Sequence, residues 1–444
     1  MHNELFRAMH LRFTSVVAKR VSLTRGNPQF YPKFGYRGTY APLCSTLRIY
    51  YYIFLCLGRN NCRISKNMLK WSTDKQELKK SITNLTRKDG KIMEDKKYVA
   101  YVGTYTHGSS IGIHLYDVDV EEGTLSERKV VPVNNSSYVV KSKNGKYLYS
   151  IADEGVAVFA IAPDGDLTFI NKVDIDGMRG CYLSVDYNGK YLFVGGYHDG
   201  KITAVHTHRD GRLGRVFDGV FHKGIGSVAE RNFRPHVSCV ATTPEGKYVC
   251  AVDNGIDQLK FYRINTVRNR LELVDILRCK RESGPREIVF SKDGRFAYVL
   301  FELMNLVGVF SYKDTGKSPE FELIQTIETL SDELDPQHDC AAAIALSPDG
   351  KYLFTSTAGD NSVAMFAINQ EEGTLTKEFA LPISGEYPKD IALFPDGKHI
   401  AVVNHESNSI TTFTIDYEKK VLVMKGKPMK VDTPNCILLT DISV

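Results

Sequence analysis

The stretch Ser347-Pro-Asp-Gly-Lys-Tyr-Leu-Phe354 decides the fold, because it returns along the chain. Its core recurs as Asn144-Gly-Lys-Tyr-Leu-Tyr, Asn188-Gly-Lys-Tyr-Leu-Phe, Glu245-Gly-Lys-Tyr-Val-Cys, Asp293-Gly-Arg-Phe-Ala-Tyr and Asp396-Gly-Lys-His-Ile-Ala. Each copy reads as a tight turn running into a strand, with Gly supplying the positive φ that such turns need. The turn glycines 145, 189, 246, 294, 350 and 397 are 44, 57, 48, 56 and 47 residues apart. A period near 50 marks a stacked or radial array. After each turn an alternating strand ends in a second polar turn, and a seventh such strand lies at Ile111 to Leu125. Seven units of about 50 residues match a four-stranded propeller blade, and no helical period competes.

The ends of this array account for the odd copy. The unit at Tyr98-Val-Ala-Tyr-Val-Gly has the second strand of a blade and nothing resembling a first, whereas Pro434-Asn435-Cys-Ile-Leu-Leu-Thr is a first strand without a second. Pairing the two closes the ring and covers both exposed sheet edges. The expectation is an all-β, seven-bladed β-propeller over residues 93–444, closed between its ends.

Residues 1–92 have a different composition. They hold 18 Lys and Arg against 4 Asp and Glu, while residues 93–444 hold 39 against 48. The acidic body lacks the clustered basic stripe that nucleic acid or an anionic membrane requires, so neither is expected as a partner. The apolar run from Ile49 to Leu57 is too short to span a bilayer. The basic, acid-poor start imitates an organelle transit peptide. The preferred reading is a disordered leader or upstream translation, with Met93 as the natural start. Nine cysteines without a CxxC pair fit a reducing, cytoplasmic setting and give no zinc or disulfide framework. No EF-hand, HExxH or GxSxG pattern is present, and neither metal nor cofactor is expected.

In a propeller the inner strands start where the second strands end, beside the central channel. Pro235-His236, Pro285-Arg286, Pro388-Lys389 and Pro434-Asn435 place four polar residues at what reads as one axial level. The second-strand ends add Tyr197 and His198, Asp253, Glu302, and Asn404 with His405. Such a mouth suits attack of water on a carbonyl: His236 or Glu302 as base, Arg286 and Lys389 for an oxyanion or anionic substrate. Plainer roles compete. Arg286 with Glu302 reads equally as a structural ion pair, His236 as a loop contact, and Asp257 as a turn former. The Gly103-Thr-Tyr-Thr-His-Gly-Ser-Ser110 segment reads as a turn ahead of a phosphate loop.

Tyr101-Val-Gly-Thr-Tyr-Thr, Arg234-Pro-His, Asp253-Asn-Gly-Ile-Asp257, Gly284-Pro-Arg286, the Tyr298 to Glu302 strand end and Ser347-Pro-Asp-Gly350 resemble the seven-bladed lactonase family. That family includes bacterial propeller-type 6-phosphogluconolactonases and fungal carboxymuconate-lactonizing enzymes, and the resemblance spans nearly all of 93–444. It implies hydrolysis of a sugar lactone, foremost 6-phosphogluconolactone of the pentose phosphate pathway, without a cofactor. The family's active-site His, Arg and Glu would fall on His236, Arg286 and Glu302; the mouth read from strand starts and ends adds Lys389, Asp253, Asn435, Tyr197, Asn404 and His405 as expected substrate contacts. The chain departs from the pattern at Glu287, where a His is usual, at Ala343 for Glu, near Ala358 for Arg, and at Lys389 for Arg. Ring closure on a dicarboxylate, or a propeller that binds without catalysis, are the competing readings.

Overall fold

The computed structural model describes residues 96–227, 232–331 and 339–442, and the reading of residues 1–92 lies outside the described residues. Seven antiparallel sheets follow one another along the chain, and in all but the first the strands are added in sequence order. The first blade is the exception that closes the ring. Its innermost strand is Pro434–Asp441, followed by Tyr98–Thr104, Gly112–Asp119 and Thr124–Pro132. Ala100 lies opposite Leu439 and Val102 opposite Ile437, so the expected pairing of the two chain ends is present. The inner strands of blades two to seven are Val139–Lys141, Tyr182–Val185, Val237–Thr242, Pro285–Phe290, Cys340–Leu346 and Pro388–Leu393. Each packs on the inner strands beside it, and Pro434–Asp441 contacts both Val139–Lys141 and Pro388–Leu393.

The repeated turn explains why the sheets form locally. In six blades the glycine N–H donates to the carbonyl three residues earlier, as from Gly350 to Ser347 at 2.8 Å and from Gly145 to Ser142 at 3.0 Å. These glycines have φ between 64° and 75°, where a side chain is strained. The preceding polar side chain finishes the turn: Asp349 Oδ1 accepts from Ser347 Oγ and Lys351 N, and Ser347 Oγ accepts from Tyr352 N.

Period-2 alternation then gives each blade two apolar faces, and each face meets its neighbour. Seven separate apolar clusters result, one per pair of adjacent blades. The cluster joining Val102 and Tyr116 to Ala401 and Val403 seals the first blade to the seventh. At about 25 cal/mol per Å² of buried apolar area these faces supply the main drive to fold, leaving the axis for polar side chains.

Candidate active site

The inner strands do not run straight to the axis. The pairing register shifts between Val237 and Cys239, Pro285 and Glu287, Ala341 and Ala343, and Pro388 and Asp390. One residue is therefore bulged out at the same level in each of these blades: Ser238, Arg286, Ala342 and Lys389. A bulge bends its strand and re-aims a side chain. All four, with Asn435 from the first blade, line one axial cavity of about 330 Å³. The residues after Arg286, Ala342 and Lys389, namely Glu287, Ala343 and Asp390, form a second, deeper level with Tyr138 and Tyr182, and all five line the cavity.

Arg286 is held from two directions. Its Nε donates to the Ala342 carbonyl at 2.6 Å and its Nη1 to Glu302 Oε2 at 2.7 Å. The same Glu302 oxygen accepts from Asn254 Nδ2 at 3.0 Å. Burial opposes the Arg286 charge, but Glu302 beside it, together with Tyr387 and Glu287, outweighs burial and holds the guanidinium above its ordinary pKa. Asp257, in the left-handed region at φ 54°, accepts from Glu282 N at 2.8 Å and Gly284 N at 2.9 Å. Its turn-forming role thus extends to fixing the approach to Pro285 and Arg286.

Two carboxyl groups share the deeper level. Glu287 Oε1 accepts from the Tyr182 hydroxyl at 2.9 Å, and Asp390 Oδ2 from Ile437 N at 2.8 Å. Burial lifts Glu287 to about 7, against the opposing pulls of the Tyr182 hydroxyl and Arg286. Burial also lifts Asp390 to about 7, opposed by the Ile437 N–H and reinforced by the charge of Glu287. Tyr182 keeps its proton, since burial raises its pKa, and its ring packs on Tyr138 at 4.3 Å. Burial likewise raises the Cys181 thiol to about 11, so this thiol at the cavity wall is not a thiolate.

The sequence-predicted residues divide into two groups. Arg286, Glu302, Lys389, Tyr197 and Asn435 come together around the cavity. Lys389 Nζ lies 4.9 Å from the Tyr387 ring centre, and Asn435 Nδ2 donates to the Ser137 carbonyl at 2.7 Å. His236 stands behind this wall. Its Nδ1 lies 2.6 Å from the Tyr197 carbonyl and its ring stacks on Tyr197 at 4.3 Å, so Tyr197 separates it from the cavity. The expected equivalence of His236 with Arg286 does not hold. The strand register makes Val237 the counterpart of Pro285 and Ser238 that of Arg286.

Asp253 and Asn404 also face away from the cavity. Each is the last residue of its second strand and pairs with the residue before the bulge. A shift of one position puts a side chain on the opposite face, and Glu302 is one residue further on. Asp253 instead lies 2.6 Å from His222 Nδ1 and accepts from His236 N at 2.8 Å, with the Asp253 and His222 side chains fully buried. Asn404 donates to Ser409 Oγ and Thr411 Oγ1. His405 sits at the rim, its Nδ1 3.0 Å from the Pro434 carbonyl and its ring edge-on to Tyr105 and Tyr387. In the loop after Gly103, the Ser109 N–H and hydroxyl both donate to Asp432, so a carboxylate takes the donors a phosphate would need.

Glu287 and Asp390 are the residues that motif reading missed, Glu287 having been taken as a departure. A signal was present. The bulged residues Ser238, Arg286, Ala342 and Lys389 each lie eight positions before a turn glycine, the position that Ser137 and Cys181 hold in two further blades. Glu287 and Asp390 lie seven before it.

The family model described as lactonase, 7-bladed beta-propeller, matches residues 99–439. The chain belongs to this family. Its relatives include the 6-phosphogluconolactonase of Bacillus subtilis, 35% identical over 66% of this chain and 84% of that protein. The 6-phosphogluconolactonase of Formosa agariphila is 30% identical over 65% and 84%. Among solved structures, the periplasmic gluconolactonase of Pseudomonas aeruginosa is 27% identical with a TM-score of 0.74, covering 78% of this lactonase-family chain and 100% of its own. Among the described residues of this lactonase-family propeller no group of three or more His, Cys, Asp or Glu side chains is placed to hold a metal ion. None of the described helices is long and apolar enough to cross a membrane.

Proposed function

We propose that this protein hydrolyses 6-phosphogluconolactone to 6-phosphogluconate, as a step of the pentose phosphate pathway, in the cytoplasm. The observation that carries the reading is the meeting of a fixed guanidinium, Arg286, with a carboxyl of raised pKa, Glu287, in one axial cavity. The membership of the lactonase family and the names of its relatives support the reaction class. Six free cysteines among the described residues agree with a reducing compartment.

In this reading the lactone carbonyl oxygen faces Arg286. Water attacks the carbonyl carbon as the Glu287 carboxylate takes its proton, and the oxyanion that forms is met by the guanidinium. Collapse of the tetrahedral intermediate breaks the bond to the ring oxygen, which receives that proton from Glu287 and leaves as the product hydroxyl. Glu302 is a positioning residue here. Its carboxylate already accepts from Arg286 and Asn254, so it is engaged in holding the guanidinium. His236 acts through Tyr197, and Tyr197, Asn435 and Lys389 contact the substrate.

The test is disappearance of freshly generated 6-phosphogluconolactone with the purified full-length chain, corrected for spontaneous hydrolysis. Acceleration is expected. No acceleration overturns the substrate assignment, and a rate only in the ring-closing direction on a dicarboxylate favours the lactonizing alternative.

A further inference from the structure

Two cations at the rim of the cavity lack an acidic partner. Arg179, in the segment leading into the third blade, has its guanidinium carbon 4.9 Å from the Tyr105 ring centre. Lys389 Nζ is 4.9 Å from the Tyr387 ring centre and 3.3 Å from its hydroxyl. Among the described residues neither side chain forms an ion pair with Asp or Glu, in contrast to Arg286 with Glu302. Asp199, the acid near Arg179, turns its Oδ2 to Met178 N at 2.9 Å. Tyr105 and Tyr387 both line the cavity and both pack edge-on against His405, with centroid separations of 5.8 and 5.9 Å. The two cations therefore belong to one side of one rim.

A cation parked on an aromatic face is oriented without being neutralised. For Arg this leaves the planar N–H edge for bidentate capture of phosphate oxygens, with Lys adding a point charge. The two aromatic rings they rest on sit on fixed backbone. Tyr387 holds a left-handed φ of 56° with its N–H donating to Asn361 Oδ1 at 2.8 Å, and Tyr105 N donates to the Thr433 carbonyl at 3.1 Å. His198 lines the same rim. Burial and the charge of Arg179 lower its pKa, so it faces the site as a neutral ring. In this family phosphate selectivity is an open variable, since relatives are named for both a phosphorylated and an unphosphorylated lactone.

We propose that Arg179, on the same side of the rim as Lys389, forms the subsite that takes the phosphate group of a phosphorylated sugar lactone, while Arg286 and Glu287 take its carbonyl end. This rests on the lactonase reading above and makes Arg179 a specificity residue outside the reacting centre.

The experiment compares wild type with Arg179→Ala and Arg179→Lys on 6-phosphogluconolactone and on unphosphorylated glucono-1,5-lactone, with spontaneous rates subtracted. Loss of a charge-assisted contact predicts a KM for the phosphorylated lactone raised about 10- to 100-fold in Arg179→Ala. The kcat is kept, the unphosphorylated lactone is turned over as by wild type, and Arg179→Lys recovers part of the loss. Equal losses on both lactones, or an unchanged preference, overturn the subsite. Calorimetry with inorganic phosphate separates this from failure of the functional reading. If wild type accelerates neither lactone but binds phosphate more tightly than Arg179→Ala, the subsite stands and the substrate assignment falls; equal or absent phosphate binding overturns the subsite.

Discussion

Arg286 and Glu302 leave neighbouring strands of the same blade and meet with Nη1 donating to Oε2 at 2.7 Å. Their side chains are 19% and 4% exposed, so neither charge is solvated well enough to stand alone. Glu302→Ala strands the guanidinium in a cavity that disfavours its charge, and loss of one partner of a buried pair costs about 3 kcal/mol. Urea unfolding of Glu302→Ala should show that loss. A stability unchanged from wild type would mean that the pair does not hold Arg286.

Glu287 and Asp390 give stability a defined pH dependence. Their pKa values rise from 4.5 and 3.8 to about 7 on folding, chiefly by burial. The folded protein keeps these protons to higher pH than the unfolded chain, so their contribution is fully present below about pH 4 and is lost as pH rises through 7. Tyr182 and Arg286 face Glu287 and pull the other way, which the values already include. Glu287→Gln removes one titration and relieves its upward push on Asp390. The loss of urea midpoint between about pH 5 and about pH 8 should therefore be smaller in the variant than in wild type. An equal or larger loss would contradict the burial account.

His236 separates two accounts of the chemistry. Stacked behind Tyr197, it serves to hold that ring, and His236→Ala should raise KM several-fold while leaving kcat within about threefold. A drop in kcat of about 100-fold or more, with loss of a limb of the pH profile, would make it the base instead.

The ring closure predicts the effect of removing the last strand. Truncation after Thr433 leaves the first blade without Pro434–Asp441 and exposes the edge of Tyr98–Thr104. The cluster that joins Val102 to Ile437 is cut as well. Thermal melting followed by circular dichroism should lose its cooperative transition, whereas a sharp transition near the wild-type midpoint would show that closure contributes little.

The propeller was legible because its signals are local. Each turn needs only Gly and a polar residue a few positions apart, and the unmatched strands at Tyr98 and Pro434 announce the closure. Arg286, Glu302, Lys389 and Asn435 were legible for the same reason, each lying beside a Pro or at a strand end. The placement of His236 was not, because a bulge is a register event between strands and the Pro of Pro235-His236 stands two residues too early. Asp253 and Asn404 failed by one residue, which in a strand is the opposite face. Glu287 and Asp390 were hidden because comparison with a family pattern marks a changed residue as a loss. Only the position after the bulge reveals that a carboxyl still faces the cavity.

The most direct measurement is the pH dependence of kcat/KM for 6-phosphogluconolactone hydrolysis, spontaneous rate subtracted, in wild type and Glu287→Gln. Wild type should rise through about pH 7 to a plateau, and Glu287→Gln should fall about 100-fold or more and lose that rise. A Glu287→Gln protein that keeps both the rate and the rise would contradict the role of Glu287 as the base.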